Sequence, residues 1–191
     1  MVRAFTGEPV DPQVARRILT AANRAPSAGF SQGYALLVLD HPDQLAPFWP
    51  LQYEDEDDAA WFAPVAKAPL VIVPLSCKDM YLDRYARPDK GWTDRDEARW
   101  PVPYWDIDTG FMAMLMLLAA VDEGLGALFF GIQPAVMGPF RELYGVPEQY
   151  VPIGAVAIGH PDVTVLAADK GGSSRVIKRR DLAELVHRGR W

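Results

Sequence analysis

The chain has 191 residues, half of them hydrophobic and 23% charged, with a formal net charge of −6 at pH 7. This describes one globular domain long enough to bury a substantial core, and its acidic balance argues against a nucleic-acid or anionic-membrane binder. A single cysteine, Cys77, excludes an internal disulfide and a cysteine-rich metal site, and together with the lack of an apolar signal region behind Met1 it makes the cytoplasm the expected location.

Asp11 followed by Pro12 is a helix start, a capping oxygen and then proline at the first helical position. Val14, Ile18, Leu19 and Ala22 continue as an apolar stripe, and the helix is expected to end before Pro26. Next comes Ala25-Pro26-Ser27-Ala28-Gly29-Phe30-Ser31-Gln32-Gly33-Tyr34, ten residues without a charge. Its small side chains leave backbone N–H groups, hydroxyls and an amide accessible to a flat, polar-edged ligand.

Residues 35–40 and 69–75 read as strands, with short helices expected at 42–46 and 59–66. Residues 78–104 are charged and rich in Tyr and Trp without clear periodicity, the pattern of a lid or binding loop. Phe111-Met-Ala-Met-Leu-Met-Leu-Leu-Ala-Ala-Val121 is apolar all round. It covers about half of the ~20 residues a bilayer requires, so a helix buried in the core, or shared with a second subunit, is expected instead. Strands at 127–132 and 151–160 and a short helix at 139–144 follow. A loop at 168–174 then leads into a basic tail with Arg175, Lys178, Arg179 and Arg180.

Familiar catalytic patterns are missing. Gly124-Leu-Gly126 follows a helix and has Phe at 129, so it reads as a helix end, not a dinucleotide fingerprint. Gly171-Gly172-Ser173-Ser174 lacks the lysine of a phosphate loop. His41, His160 and His187 have no ligand-like spacing with Cys77, so no metal site is expected. Asp106 and Asp108 stand near a helix start, where capping explains them better than acid–base work. The basic tail fits a solvated surface or a nucleic-acid contact, and equally, with Arg3, a phosphate grip. With no acid–base set in view, any chemistry would belong to a bound cofactor.

Taken in order, several segments resemble the FMN-dependent nitroreductase family over nearly the whole chain. They are Val2-Arg3-Ala4-Phe5-Thr6, Ala25-Pro26-Ser27-Ala28-Gly29 with Gln32, Asp108-Thr-Gly110, and Glu123-Gly-Leu-Gly126 with Phe129-Phe-Gly131. Ile158-Gly-His-Pro161 and Lys178-Arg179-Arg180-Asp-Leu182 complete the series.

The resemblance implies an α+β three-layer sandwich, a mixed but mainly antiparallel sheet flanked by helices, forming one domain in an intertwined homodimer with FMN at the interface. Arg3 is then expected at the pyrimidine edge of the flavin. Pro26, Ser27 and Ala28, supplied by the partner subunit, would line the ring, and Gln32 would lie near the ring or ribityl chain. The backbone of Phe130 and Gly131 would face N5, and Lys178 and Arg179 would hold the phosphate. The implied reaction is hydride transfer from NAD(P)H followed, in ping-pong order, by reduction of a small organic acceptor, a nitro compound or quinone. Residues 78–105 would be the substrate lid.

Alternatives on the same fold are ring dehydrogenation, dehalogenation, flavin fragmentation, and a non-catalytic flavin-binding role. The chain also departs from the family pattern. Met1 stands where the family usually has the serine of an Arg-Arg-Ser triplet, so either the natural start lies upstream or the tail alone holds the phosphate. Phe30 replaces the common Asn, and Gly33-Tyr34 the common Pro-Trp.

Overall fold

The computed structural model describes residues 1–168 and 177–191. The Gly171-Gly172-Ser173-Ser174 loop and Arg175 lie outside the described residues.

The first helix, α1 (Pro12–Ala22), begins as expected: Asp11 accepts a hydrogen bond from the Gln13 N–H at 2.7 Å, and proline follows at the first position. The strands are β1 (Tyr34–Leu39), β2 (Leu70–Ser76), β3 (Gly126–Phe130), β4 (Val151–Pro152) and β5 (Ala155–Gly159). They form one sheet in the order β1-β2-β5-β3, with β4 beside the end of β2, and every described pairing is antiparallel.

The strand expected at 151–160 is broken in two, and the register explains the break. Ile72 pairs with Val156 and Leu75 with Pro152, so three residues between the pairs face two on β2. This is a β-bulge, and it falls opposite Pro74, whose nitrogen cannot donate to the ladder. Gly154 sits in it at φ 147, with its Cα so close to β3 that an added Cβ would lie 2.7 Å from the Phe130 carbonyl oxygen.

Side chains alternate between the two faces of the sheet. Leu70, Ile72, Ala127, Val156 and Ile158 pack against α1 and a long helix, α5 (Tyr104–Asp122), through Ile18, Ala22, Met112 and Met116. Val71, Val73, Leu128, Phe130 and Ala157 face the other way, into an aromatic core with Phe5, Phe48, Trp49 and Phe140. The helices over that face are α2 (Pro42–Leu45), α3 (Glu56–Phe62) and α6 (Met137–Tyr144). The result is helices, sheet, helices: an α+β sandwich. Two short segments complete the chain, α7 (Val163–Ala168) and a single helical turn at Leu182–Leu185.

Two sequence-based expectations need correction. Residues 78–85 are not irregular but form a helix, α4 (Lys78–Tyr85), whose buried residues are Tyr81 and Leu82. Two adjacent buried positions leave too weak an apolar stripe to be read from sequence. The apolar helix is also longer than the segment that marked it. At 19 residues, α5 is long and apolar enough to cross a bilayer by length and composition, so length does not place it. What places it is its packed face against β2, β3 and α1.

Nor is α5 buried on every side. Ile107, Phe111, Met114, Leu118 and Val121 recur at alternating steps of four and three residues along its outer surface. Met114, Leu118 and Val121 are 53%, 59% and 68% exposed. An apolar stripe at that spacing is the pattern of a helix–helix seam.

Candidate functional site

The loop after α1 is held in an unusual backbone conformation. Residues 28–30 make a single 3-10 turn, and Gly29, Phe30 and Gln32 have φ of 60, 54 and 51. A positive φ is uncommon outside glycine and costly for a bulky residue such as Phe30, so surrounding contacts must hold it. Ser31 Oγ donates to the Ala28 carbonyl at 2.6 Å, and the Gln32 N–H donates to Ser27 Oγ at 3.0 Å.

The loop rests on α4. Arg84 Nε donates to the Gly29 carbonyl at 2.8 Å, while its two terminal nitrogens grip Asp89 at 2.9 and 2.8 Å. Gly33, in the position where the resemblance has proline, is explained by packing. A Cβ there would lie 2.7 Å from the Cys77 carbonyl oxygen and 2.5 Å from the Tyr81 ring.

Beneath the loop lies Asp108, 3% exposed within the apolar helix α5. It does not cap that helix, which starts at Tyr104 after Pro103. Its Oδ2 accepts hydrogen bonds from the Ala28 N–H and the Tyr81 hydroxyl, both at 2.8 Å. Asp106 is not a cap either; it accepts from Ser76 Oγ at 2.6 Å. Burial raises the Tyr81 hydroxyl pKa above its ordinary value, and its bond to Asp108 adds to the rise. Burial likewise raises Tyr34, with the nearby Asp108 charge contributing. Both phenols therefore stay protonated, and Tyr81 serves as a lasting donor to Asp108.

Residues 86–103 fold back over α4. Arg95 reaches Asp79 at 3.1 Å and Asp83 at 3.0 Å, and Lys78 pairs with Glu97 at 2.7 Å. Trp100 sits among Tyr85, Trp92 and Tyr104, with ring centroids 4.5, 5.5 and 5.8 Å away. Beyond α4, the segment expected as a lid therefore forms an aromatic flap, packed onto the helix that supports the loop.

The remaining candidates lie elsewhere. The Val2 N–H donates to the Ala127 carbonyl, which sets Arg3 beside the start of β3. Arg3 lines a recess of about 370 Å³ with Ala60, Trp61, Pro64, Val165 and Leu166. Its guanidinium makes no ion pair among the described residues. Phe130 ends β3, and Gly131 follows with open space around its Cα.

β1 and β3 are opposite edges of the sheet: the loop of Ser27, Ala28 and Gln32 leads into β1 and reaches Asp108 of α5, whereas Arg3 lies beside the start of β3 and Phe130 and Gly131 at its far end. Three strand spacings separate the edges by roughly 14 Å. Lys178 and Arg179 are exposed on the C-terminal segment; the adjacent Arg180 turns to Glu184 at 3.4 Å. One protomer thus does not bring these residues to a single place. Sequence reading missed Asp108 as a partner of the loop, placed Tyr81 only among the aromatic residues of the lid, and missed Arg84. A carboxylate inside an otherwise apolar helix was the signal available for the first.

A family profile described as "Nitroreductase family" matches residues 1–160. A curated Archaeoglobus fulgidus protein named "Putative NADH dehydrogenase/NAD(P)H nitroreductase" is 26% identical over 162 residues, covering 84% of this chain and 79% of its own. The solved nitroreductase family protein from Streptococcus pneumoniae superposes with a TM-score of 0.70 at 21% identity, over 97% of this chain and 94% of that one. A nitroreductase-type structure from Exiguobacterium sibiricum, solved in complex with FMN, superposes at 0.69 with 20% identity, over 97% and 91% of the two chains. At these identities the structural likeness speaks for the fold, the α+β sandwich expected from sequence.

Proposed function

This chain belongs to the nitroreductase family, and from that premise we propose that it is an FMN-dependent oxidoreductase using NAD(P)H to reduce a small organic acceptor. FMN, when bound, would supply the electron chemistry: uptake of hydride from the nicotinamide and, in ping-pong order, electron transfer to a nitro compound or quinone. The FMN held by the Exiguobacterium relative and the dehydrogenase and nitroreductase names of the archaeal relatives support this reading.

The observation that carries it is the Arg3 recess. One part-buried guanidinium in an otherwise apolar hollow beside an indole, Trp61, suits a planar ring whose edge bears carbonyl oxygens or gains negative charge. The uncharged 26–32 loop offers a matching flat wall. Arg3, Pro26, Ser27, Ala28 and Gln32 would line the ring and ribityl chain, and the peptide groups of Phe130 and Gly131, open to solvent at Gly131, would face its reactive edge. Lys178 and Arg179 would hold the phosphate. The flap over α4 would keep water from the ring and shape the acceptor's access.

Such a site would be shared by two copies of the chain, as the family resemblance implies, with the flavin between residues beside one protomer's β3 and its partner's loop. The exposed stripe on α5 supplies a surface for that homodimer. The proposal includes a cytoplasmic setting, where the buried Cys77 would remain a thiol.

Titration with FMN tests the reading. Purified protein is expected to bind FMN and turn yellow, and NADH or NADPH is expected to bleach the visible band under anaerobic conditions. Protein that takes up no FMN would sink the proposal. Bound flavin that neither nicotinamide reduces would point to other flavin chemistry or to a binding protein. Within the same assay, Arg179→Ala is expected to weaken FMN binding roughly 10- to 100-fold, the worth of a charge-assisted hydrogen-bonded contact. Arg188→Ala should leave it unchanged; equal effects would remove Arg179 from the phosphate site.

A further inference from the structure

We propose that Asp108 is the positioning residue of the cofactor wall: its buried carboxylate fixes the Ala28 amide, and with it the Ser27-Ala28 segment against which the ring would lie. This rests on the flavin reading above, but its structural half stands apart from it.

A carboxylate inside an apolar helix is costly to bury and is kept where it is fully used. Two ordinary uses are ruled out by its place. It is a full turn inside α5 and caps nothing, and no described cation pairs with it. What it does is join three elements through one oxygen, with Ala28 of the loop and Tyr81 of α4 each 2.8 Å away.

The bond to Ala28 falls immediately before the run of positive φ at Gly29 and Phe30. Ser27 and Ser31 close the loop on itself, but bonds internal to a loop cannot orient it relative to the sheet. Asp108 grips the loop through the Ala28 N–H, and Arg84 through the next carbonyl, that of Gly29. Of these two anchors Asp108 is the rigid one, buried on a long packed helix, while Arg84 lies on the side that carries the flap. The same Ser27–Ala28 peptide is held at both ends, its N–H by the carboxylate and its Ser27 carbonyl by the Phe30 N–H at 2.9 Å. Its plane is therefore fixed, as a wall for a flat ring requires. Asp108 is 3% exposed, so it acts through Ala28 and is not itself a catalytic group.

The test compares Asp108→Ala, Asp108→Asn and Tyr81→Phe. Tyr81→Phe removes the other hydrogen bond to the same oxygen but leaves the bond to Ala28. Three quantities are read: thermal midpoint, amide exchange at Ala28 in the cofactor-free protein, and the dissociation constant for FMN.

Asp108→Ala is expected to speed Ala28 exchange about tenfold or more and to weaken FMN to a similar degree, as loss of a charge-assisted bond implies. Asp108→Asn keeps an acceptor and should recover part of both. Tyr81→Phe should lower the midpoint yet leave exchange and FMN affinity within about twofold. If FMN affinity follows the midpoint alike in Asp108→Ala and Tyr81→Phe, or if Ala28 exchange does not move, Asp108 is merely structural and the proposal is overturned. Should Asp108→Ala not fold, Asp108→Asn carries the same comparison against Tyr81→Phe. If the unmodified protein binds no FMN, the functional reading fails, while amide exchange still decides whether Asp108 holds the loop.

Discussion

Replacing Leu118 with glutamate is expected to turn the proposed dimer into a folded monomer and to weaken FMN binding about 100-fold or more, the equivalent of some 2.7 kcal/mol. Leu118 is 59% exposed on the outer face of α5. In a lone protomer a glutamate there meets water, and a surface change of this kind shifts stability by only about 0.5 kcal/mol. Against a second copy of the same stripe it would bury an unpaired charge at a self-complementary contact, and twice, because twofold symmetry repeats it.

The coupling to the cofactor follows from topology. Arg3, Phe130 and Gly131 stand along β3, whereas Ser27 and Ala28 belong to the loop that leads into β1 on the opposite edge, so in the proposed shared site separated protomers would each keep half. Light scattering with FMN titration checks both halves of the expectation. A variant that stays dimeric, or a monomer that binds FMN as tightly as the unmodified protein, would refute the shared site.

The second large effect is on stability. Phe130→Ala is expected to cost about 3–5 kcal/mol of unfolding free energy, the usual range for deleting a buried phenylalanine. In a chain of this size that lowers the thermal midpoint by roughly 6–20 °C. The Phe130 ring stacks on Trp49 with centroids 5.9 Å apart and an interplanar angle of 22°, and meets Phe62 and Phe48 edge-on at 5.5 and 6.3 Å. It joins rings from two segments of the aromatic core, and its removal takes one stacked and two edge-on contacts from them.

The role proposed for Phe130 toward the cofactor belongs to its backbone, which alanine retains. FMN affinity measured on the folded protein at low temperature is therefore expected to change less than about tenfold, well under the stability loss. Calorimetry gives the first quantity and flavin titration the second. A small loss of stability with a large loss of affinity would mean that the ring, not the peptide, meets the cofactor.

Much of this architecture was legible in the amino-acid sequence, because the signals were local. Asp11 and Pro12 start α1 by satisfying the first free N–H group and fixing φ. The runs at 35–39, 70–75 and 127–130 are strands because alternate residues had to serve two buried faces. Helix α4 escaped notice because aromatic contacts with Trp100 and Trp105 support it more than its own pattern does. The break at Gly154 could not be read either, since it depends on which residue of β2 stands opposite, and that residue is Pro74.

Asp108 shows the same limit at the site. Its position near a helix start favoured capping, but the helix begins four residues earlier, and its bonding partners lie 80 and 27 residues away along the chain.

By itself, then, the sequence determined the class of fold, the order of most elements, the family, and the small uncharged loop suited to a flat ligand. These rest on residue type, short-range periodicity and motifs in order, which the chain carries wherever its parts end up. Tertiary structure alone decided that the loop leads into one edge strand while Arg3 lies beside the other, that α5 buries one face and presents the other, and that a carboxylate inside an apolar helix is what holds the loop. Each of these depends on which distant segments pair and pack, and burial over the whole chain settles that, not any local preference.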